Sequence, residues 1–310
     1  MKDFGSIGRV GIAAPASAPL DDASTERGLA ALRKRGLDLR LARGAFPALG
    51  YLAGSDAERA IELNELIRDP DVRYILCARG GYGTLRILDR IDYDAARTNR
   101  PVVVGYSDVT ALQLALYNVA GIPSISGPMV AVEWGAEDGI DPHTESLFWR
   151  LVTDEHAGGI ANPPGRTMHG ISQGTAEGTL LGGNLAVLTR LVGTPYFPDF
   201  DGAILFIEDV GEPPYRVDGC LAQLRHAGVL QKLAGVVIGD FSEFDATPGR
   251  PSLTLDEVFA EYFGRLGCPV AANLAYGHIP CKTSVPIGVR ARLAVEDAAV
   301  SLSIAQGVHA

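Results

Sequence analysis

Short apolar runs alternate with helical patterns through the first half of the chain. Residues 9–15 read as a strand, and residues 23–35 as a helix with Leu29, Leu32 and several alanines on one face. Residues 37–42 predict a second strand. Residues 55–69 predict a helix that Ser55 caps and Glu58 completes as a capping box. A third strand at 74–78 runs into a glycine-rich turn and a helix near 84–89. A fourth, at 102–105, is followed by a helix over 109–120 with Ser107 or Asp108 as its cap. Strands and helices in this alternation imply a parallel sheet with helices on both faces.

The pattern breaks at residues 158–174, which are rich in Gly, Pro, Ser and Asn and carry no period. The expected organisation is therefore a first α/β unit over 1–157, a linker over 158–174 and a second unit over 175–310. In the second unit, strands are predicted at 177–181, 203–207, 235–239, 269–274 and 290–295. Helices are predicted near 184–191, 217–226 and 255–266. The chain has no internal repeat.

Composition narrows the function classes. With 47% hydrophobic and 21% charged residues in 310, the chain can bury a large core. A net charge of -10 without a long Lys/Arg run disfavours nucleic acid as a partner. Cys77, Cys220, Cys268 and Cys281 are scattered, with no C-x-x-C, so neither a zinc site nor a disulfide framework is expected. Residues 1–5 lack the apolar run of a signal peptide, and no stretch approaches the length of a membrane span. The expectation is a cytoplasmic protein without metal or cofactor.

Four segments could carry chemistry. In Gly105-Tyr106-Ser107-Asp108-Val109-Thr110 a buried strand turns directly into a helix. A serine there is lifted above the sheet edge beside free helix N–H groups, which suits a nucleophile and an oxyanion, though a plain helix cap has the same pattern. Arg79-Gly80-Gly81-Tyr82-Gly83 follows a strand. It lets a backbone approach a ligand closely, or makes a tight turn. As a dinucleotide fingerprint it fails, because Arg86 stands where the third glycine belongs. Glu208 ends an apolar strand, as an orienting carboxylate or a capping surface acid. His278 sits between Gly277 and Ile279-Pro280, as a base or a structural histidine. Together, Ser107, His278 and Glu208 supply a hydroxyl, a base and an acid to orient the base.

These segments resemble the LD-carboxypeptidases, serine peptidases that include muramoyltetrapeptide carboxypeptidases and microcin-immunity hydrolases. The resemblance runs over nearly the whole chain. It rests on Ala14-Pro15-Ala16-Ser17, the Arg79 to Gly83 loop, the Gly105 to Thr110 segment and Ser126-Gly127-Pro128-Met129. It continues through Glu177-Gly178, Gly182-Gly183-Asn184-Leu185, Gly193-Thr194-Pro195, Glu208-Asp209 and Gly277-His278.

The resemblance implies an α/β fold, with a parallel-sheet (flavodoxin/Rossmann-like) N-terminal domain, a C-terminal α/β domain and the active site between them. It implies Ser107 as nucleophile, Glu208 and His278 as its partners, and an oxyanion hole that we place at the Gly81 and Asp108 N–H groups. Arg79, at the mouth of the glycine loop, is the candidate for binding a terminal carboxylate; otherwise it pins the loop to an acidic neighbour. The implied protein is a metal-free homodimer that removes D-alanine from murein tetrapeptide in cell-wall recycling. The immunity branch, which hydrolyses a peptidyl-nucleotide antibiotic, is the alternative, and a non-catalytic binding module on the same fold is a further one.

Overall fold

The structure, a computed structural model, describes residues 7–42, 46–153, 158–243, 251–297, 299–305 and 307–308. The opening residues 1–5 and the end of the expected first unit, 154–157, lie outside them.

The first sheet is built from β1 (Arg9–Ala13), β2 (Leu39–Leu41), β3 (Val72–Cys77), β4 (Val102–Gly105) and β5 (Ser124–Ser126). All of these neighbours pair in parallel. Parallel neighbours need crossovers, and four helices lie between the strands in sequence: α1 (Asp22–Lys34), α2 (Asp56–Arg68), α3 (Tyr93–Asn99) and α4 (Thr110–Ala120). Ser55 caps α2 in a complete capping box with Glu58. The helix expected near residues 84–89 is the 3-10 helix Thr84–Arg90.

The second half begins after α5 (Pro142–Val152). Its sheet contains β6 (Gly158–Gly159), β7 (His169–Ser172), β8 (Gly174–Asn184), β9 (Ile204–Val210), β10 (Gly235–Ser242) and β11 (Val270–Ala272), with α6 (Leu185–Arg190), α7 (Pro214–His226) and α8 (Leu255–Phe263) between strands. The chain then makes β12 (Val285–Ile287), β13 (Val289–Val295) and β14 (Val300–Ile304). The order is β6-β14-β13-β8-β9-β10-β11-β7, with β8 to β11 parallel and the flanking pairs antiparallel.

Two expectations change. Residues 158–174 are more than a linker: they supply β6 and β7, the two outer strands of the second sheet. Edge strands pair on one side only, so their sequence shows no buried alternation. Conversely, β12 leaves the second half and pairs antiparallel with β5, closing the first sheet. Pro286, which has no N–H to donate, is tolerated because β12 is an edge.

Buried side chains from both sheets form one contiguous apolar core, running from Val10 through Val104, Leu181 and Phe206 to Leu293. That shared core presses the carboxyl end of β4 towards those of β8 and β9. The Asn184 N–H donates to Thr110 Oγ1 at 3.1 Å, and Ser126 Oγ lies 2.7 Å from Tyr276 Oη.

Candidate active site

Ser107 follows β4 with φ +64°, a left-handed conformation uncommon outside glycine, asparagine and aspartate. Such an outlier is held in place by its surroundings. A 3-10 turn, Ser107–Val109, precedes α4, and α4 has no side-chain cap. Neither Ser107 nor Asp108 therefore plays the expected capping role. Ser107 is turned against the glycine loop instead: a Cβ on Gly80 would lie 2.9 Å from Ser107 Cβ and 3.2 Å from its Oγ. The buried Asp108 carboxylate accepts the Thr84 N–H at 2.8 Å, tying the elbow to the end of that loop. Burial raises the Asp108 pKa, and the Thr84 hydrogen bonds oppose the shift.

The glycine loop runs from Arg79 to Gly83. Its Gly80 carbonyl accepts the Ser17 N–H at 3.2 Å, and its Tyr82 N–H donates to Ser17 Oγ at 3.1 Å. Among the described residues, no backbone acceptor takes the Gly81 N–H. Arg79 Nη1 donates to the Ala18 carbonyl at 3.2 Å, and among the described residues no ion pair joins Arg79 to an acidic side chain.

Glu208 lies on β9 in register with Asn184 on β8, fully buried, so it is no surface acid. His278 Nδ1 lies 2.8 Å from Glu208 Oε2. With the carboxylate ionised, it accepts the Nδ1–H and leaves the Nε2 lone pair free to take a proton. Asn184 Nδ2 donates to the other Glu208 oxygen at 3.2 Å and to Asp209 Oδ1 at 2.8 Å. At Gly277, φ is +138°, and a Cβ would lie 3.1 Å from Glu208 Oε2.

No hydrogen bond joins Ser107 to His278 among the described residues. Their link is Tyr106, whose ring meets the His278 imidazole edge-on at a centroid distance of 5.0 Å. Tyr106 is buried, and its hydroxyl donates to Glu133 Oε1 at 2.8 Å. The Lys282 ammonium pairs with the same carboxylate and lies 4.0 Å from the Tyr106 ring centroid. Burial, then the Glu133 charge, raises the Tyr106 pKa well above its ordinary value, so the phenol stays a donor. Sequence reading missed this Tyr106-Glu133-Lys282 set, because its members lie far apart in the chain and follow no motif. Among the described residues, no group of three His, Cys, Asp or Glu side chains could hold a metal ion. Among the described residues, no helix is long and apolar enough to cross a membrane.

The family model for the LD-carboxypeptidase N-terminal domain matches residues 10–127, and that for the C-terminal domain matches residues 177–293. The chain belongs to the LD-carboxypeptidase family. It is 35% identical over 300 residues to the probable murein peptide carboxypeptidase of Bacillus subtilis, covering 96% of this chain and 93% of that one. It superposes on the crystal structure of muramoyltetrapeptide carboxypeptidase from Oxalobacter formigenes with a TM-score of 0.84 and 32% identity, over 96% of this chain and 99% of that one. The microcin C7 self-immunity protein MccF of Escherichia coli is 26% identical over 303 residues, covering 89% of this chain and 87% of that one.

Asp209 makes the stability of this LD-carboxypeptidase depend on pH. Burial, then the charge of adjacent Glu208, pushes Asp209 up to about 6, against donors from Ala186 N (2.9 Å), Val210 N (2.9 Å) and Asn184. The folded state thus holds a proton that the unfolded chain, with an ordinary value of 3.8, has already released. Between about pH 4 and 6 the folded state binds more protons, so this group's contribution to stability falls as pH rises. Asp209→Asn removes the titration. Compared with the variant, the wild-type thermal midpoint is expected to fall across that window. Parallel pH curves for the two proteins would contradict the assignment.

Proposed function

We propose that this protein is a serine carboxypeptidase that hydrolyses an LD-peptide bond and releases the terminal D-alanine of murein tetrapeptide. The observation that carries the reading is the half-buried His278 held by the buried Glu208, joined through Tyr106 to a serine in a strained elbow. The names of the relatives point the same way.

In this mechanism Ser107 Oγ attacks the carbonyl carbon of the scissile bond, and its proton passes to His278 Nε2. Glu208 holds the imidazole in the right tautomer and balances the charge that develops on it. The Gly81 and Asp108 N–H groups receive the oxyanion. Collapse breaks the C–N bond, and the leaving amine takes the proton from His278. Water, deprotonated by His278, then attacks the acyl-enzyme and regenerates Ser107. Arg79 is the candidate partner for the terminal carboxylate.

The division of labour follows the two halves, with the nucleophile in the first and the acid and base in the second. A cytoplasmic location and a homodimer complete the proposal. Kinship with the MccF protein supports a second reading, hydrolysis of a peptidyl- or aminoacyl-nucleotide amide.

Purified protein should release D-alanine from murein tetrapeptide and not from the same peptide with an amidated C-terminus. No release from the free acid, with turnover of an aminoacyl sulfamoyl nucleotide, would replace the first reading with the second. Turnover of neither would favour a binding module.

A further inference from the structure

The Ala14-Pro15-Ala16-Ser17 segment plays no part in the mechanism above, yet the structure places its serine behind the glycine loop. Ser17 lies four residues past the end of β1 and is buried. Its N–H donates to the Gly80 carbonyl at 3.2 Å. Its hydroxyl accepts the Tyr82 N–H at 3.1 Å and donates to the Tyr51 carbonyl at 2.6 Å. A hydroxyl has one hydrogen to donate and lone pairs to accept with, so both bonds form together.

These contacts bracket Gly81. A trans peptide is planar, and its C=O and N–H point in opposite directions. Pinning the Gly80 carbonyl on the Ser17 N–H therefore aims the Gly81 N–H away from Ser17. The next plane, Gly81 C=O with Tyr82 N–H, is fixed by Ser17 Oγ. Glycine has no Cβ to restrict its dihedrals, and Gly81 sits at φ +103°, where its orientation must come from outside. A Cβ at Gly81 would run into the Ser17 side chain. Ser17 thus occupies the space behind the loop and fixes both of its flanking planes. The edge-to-face contact of the Tyr51 and Tyr82 rings, 5.3 Å between centroids, joins at the surface the two residues whose backbones Ser17 Oγ bridges.

We infer that Ser17 is a positioning residue for the oxyanion site, holding the Gly81 N–H in the direction that a tetrahedral intermediate requires. The inference rests on the proposed role of Gly81 as a donor. Removing one oxyanion donor costs about 10^2- to 10^3-fold in kcat, and misaiming it costs less.

The test compares wild type, Ser17→Ala, Ser17→Cys and Ser107→Ala in D-alanine release from murein tetrapeptide. A phosphinate analogue of the tetrapeptide, tetrahedral and anionic at the scissile position, is titrated in parallel. Ser17→Ala is expected to lose about 10- to 100-fold in kcat with KM little changed. Its affinity for the phosphinate should fall in step with kcat/KM. Ser17→Cys, which keeps the volume and a weak acceptor, should lie between the two. If Ser17→Ala does not fold, Ser17→Cys and the hydrogen-exchange protection of the wild-type Tyr82 N–H decide. An unprotected Tyr82 amide, unchanged kcat, or a loss confined to KM would overturn the inference. Normal turnover by Ser17→Ala beside an inactive Ser107→Ala removes the role of Ser17 alone, whereas an active Ser107→Ala removes the serine mechanism beneath it.

Discussion

If Ser107 is the nucleophile proposed above, Ser107→Ala is expected to fold normally and to lose about 10^4-fold or more in kcat, the loss seen when a triad nucleophile is removed. The elbow should survive, because its shape comes from its neighbours. The Asp108 carboxylate holds the Thr84 N–H, the Gln113 side chain donates to the Gly105 and Ile125 carbonyls at 2.9 Å each, and Tyr106 is anchored on Glu133. Alanine at φ +64° is no more strained than the serine it replaces, since both carry a Cβ. An unchanged thermal midpoint with activity at the detection limit is the expected pair of measurements. Near-normal turnover would remove Ser107 from the chemistry and with it the roles given to Glu208 and His278.

The second large effect falls on stability. Lys282 and Glu133 are both buried, and their ion pair connects the His278 loop to the turn after β5. Lys282→Met leaves the Glu133 carboxylate in the interior with, among the described residues, the Tyr106 hydroxyl and the Met129 N–H as its donors. Removing one partner of a buried pair costs roughly 3–5 kcal/mol, because the desolvated charge that remains has no counterion. That is a large share of the roughly 5–15 kcal/mol that holds a typical domain together. Glu133→Gln/Lys282→Met removes both charges and is expected to recover much of the loss. Urea unfolding of the two proteins checks this, and a double variant no more stable than Lys282→Met would refute it.

The sequence made some features legible and hid others. The parallel order of β1, β3 and β4 could be read because each strand is a short apolar run flanked by helix or turn signals. Family and fold class could be read from motifs at strand ends, where backbone turns demand particular residues. Glu208 and His278 were visible in that way, and the structure puts them 2.8 Å apart. Contacts between side chains distant in sequence had no such signature. Ser17 stood out only as part of a motif, and its hydrogen bonds to residues 51 and 82 follow no local period. Nothing in the local sequence singled out Tyr106, whose ring joins His278 to Lys282. The outer strands β6, β7 and β12 were missed because Gly158, Gly159, Gly170 and Pro286 are poor strand formers, best tolerated at an edge.

The return of β12 to the first sheet bears on how the protein is made. β5 ends at Ser126, and the strand that covers its open side begins at Val285, so about 160 residues separate the two partners. At roughly 5–20 residues per second, the ribosome takes about 10–30 s to deliver them. Throughout that interval the nascent first half carries an uncovered strand edge, a template on which other chains can pair. β5 is only three residues long, which keeps that template short. A cell making this protein in quantity would find its most vulnerable moment in synthesis, before the last strands emerge.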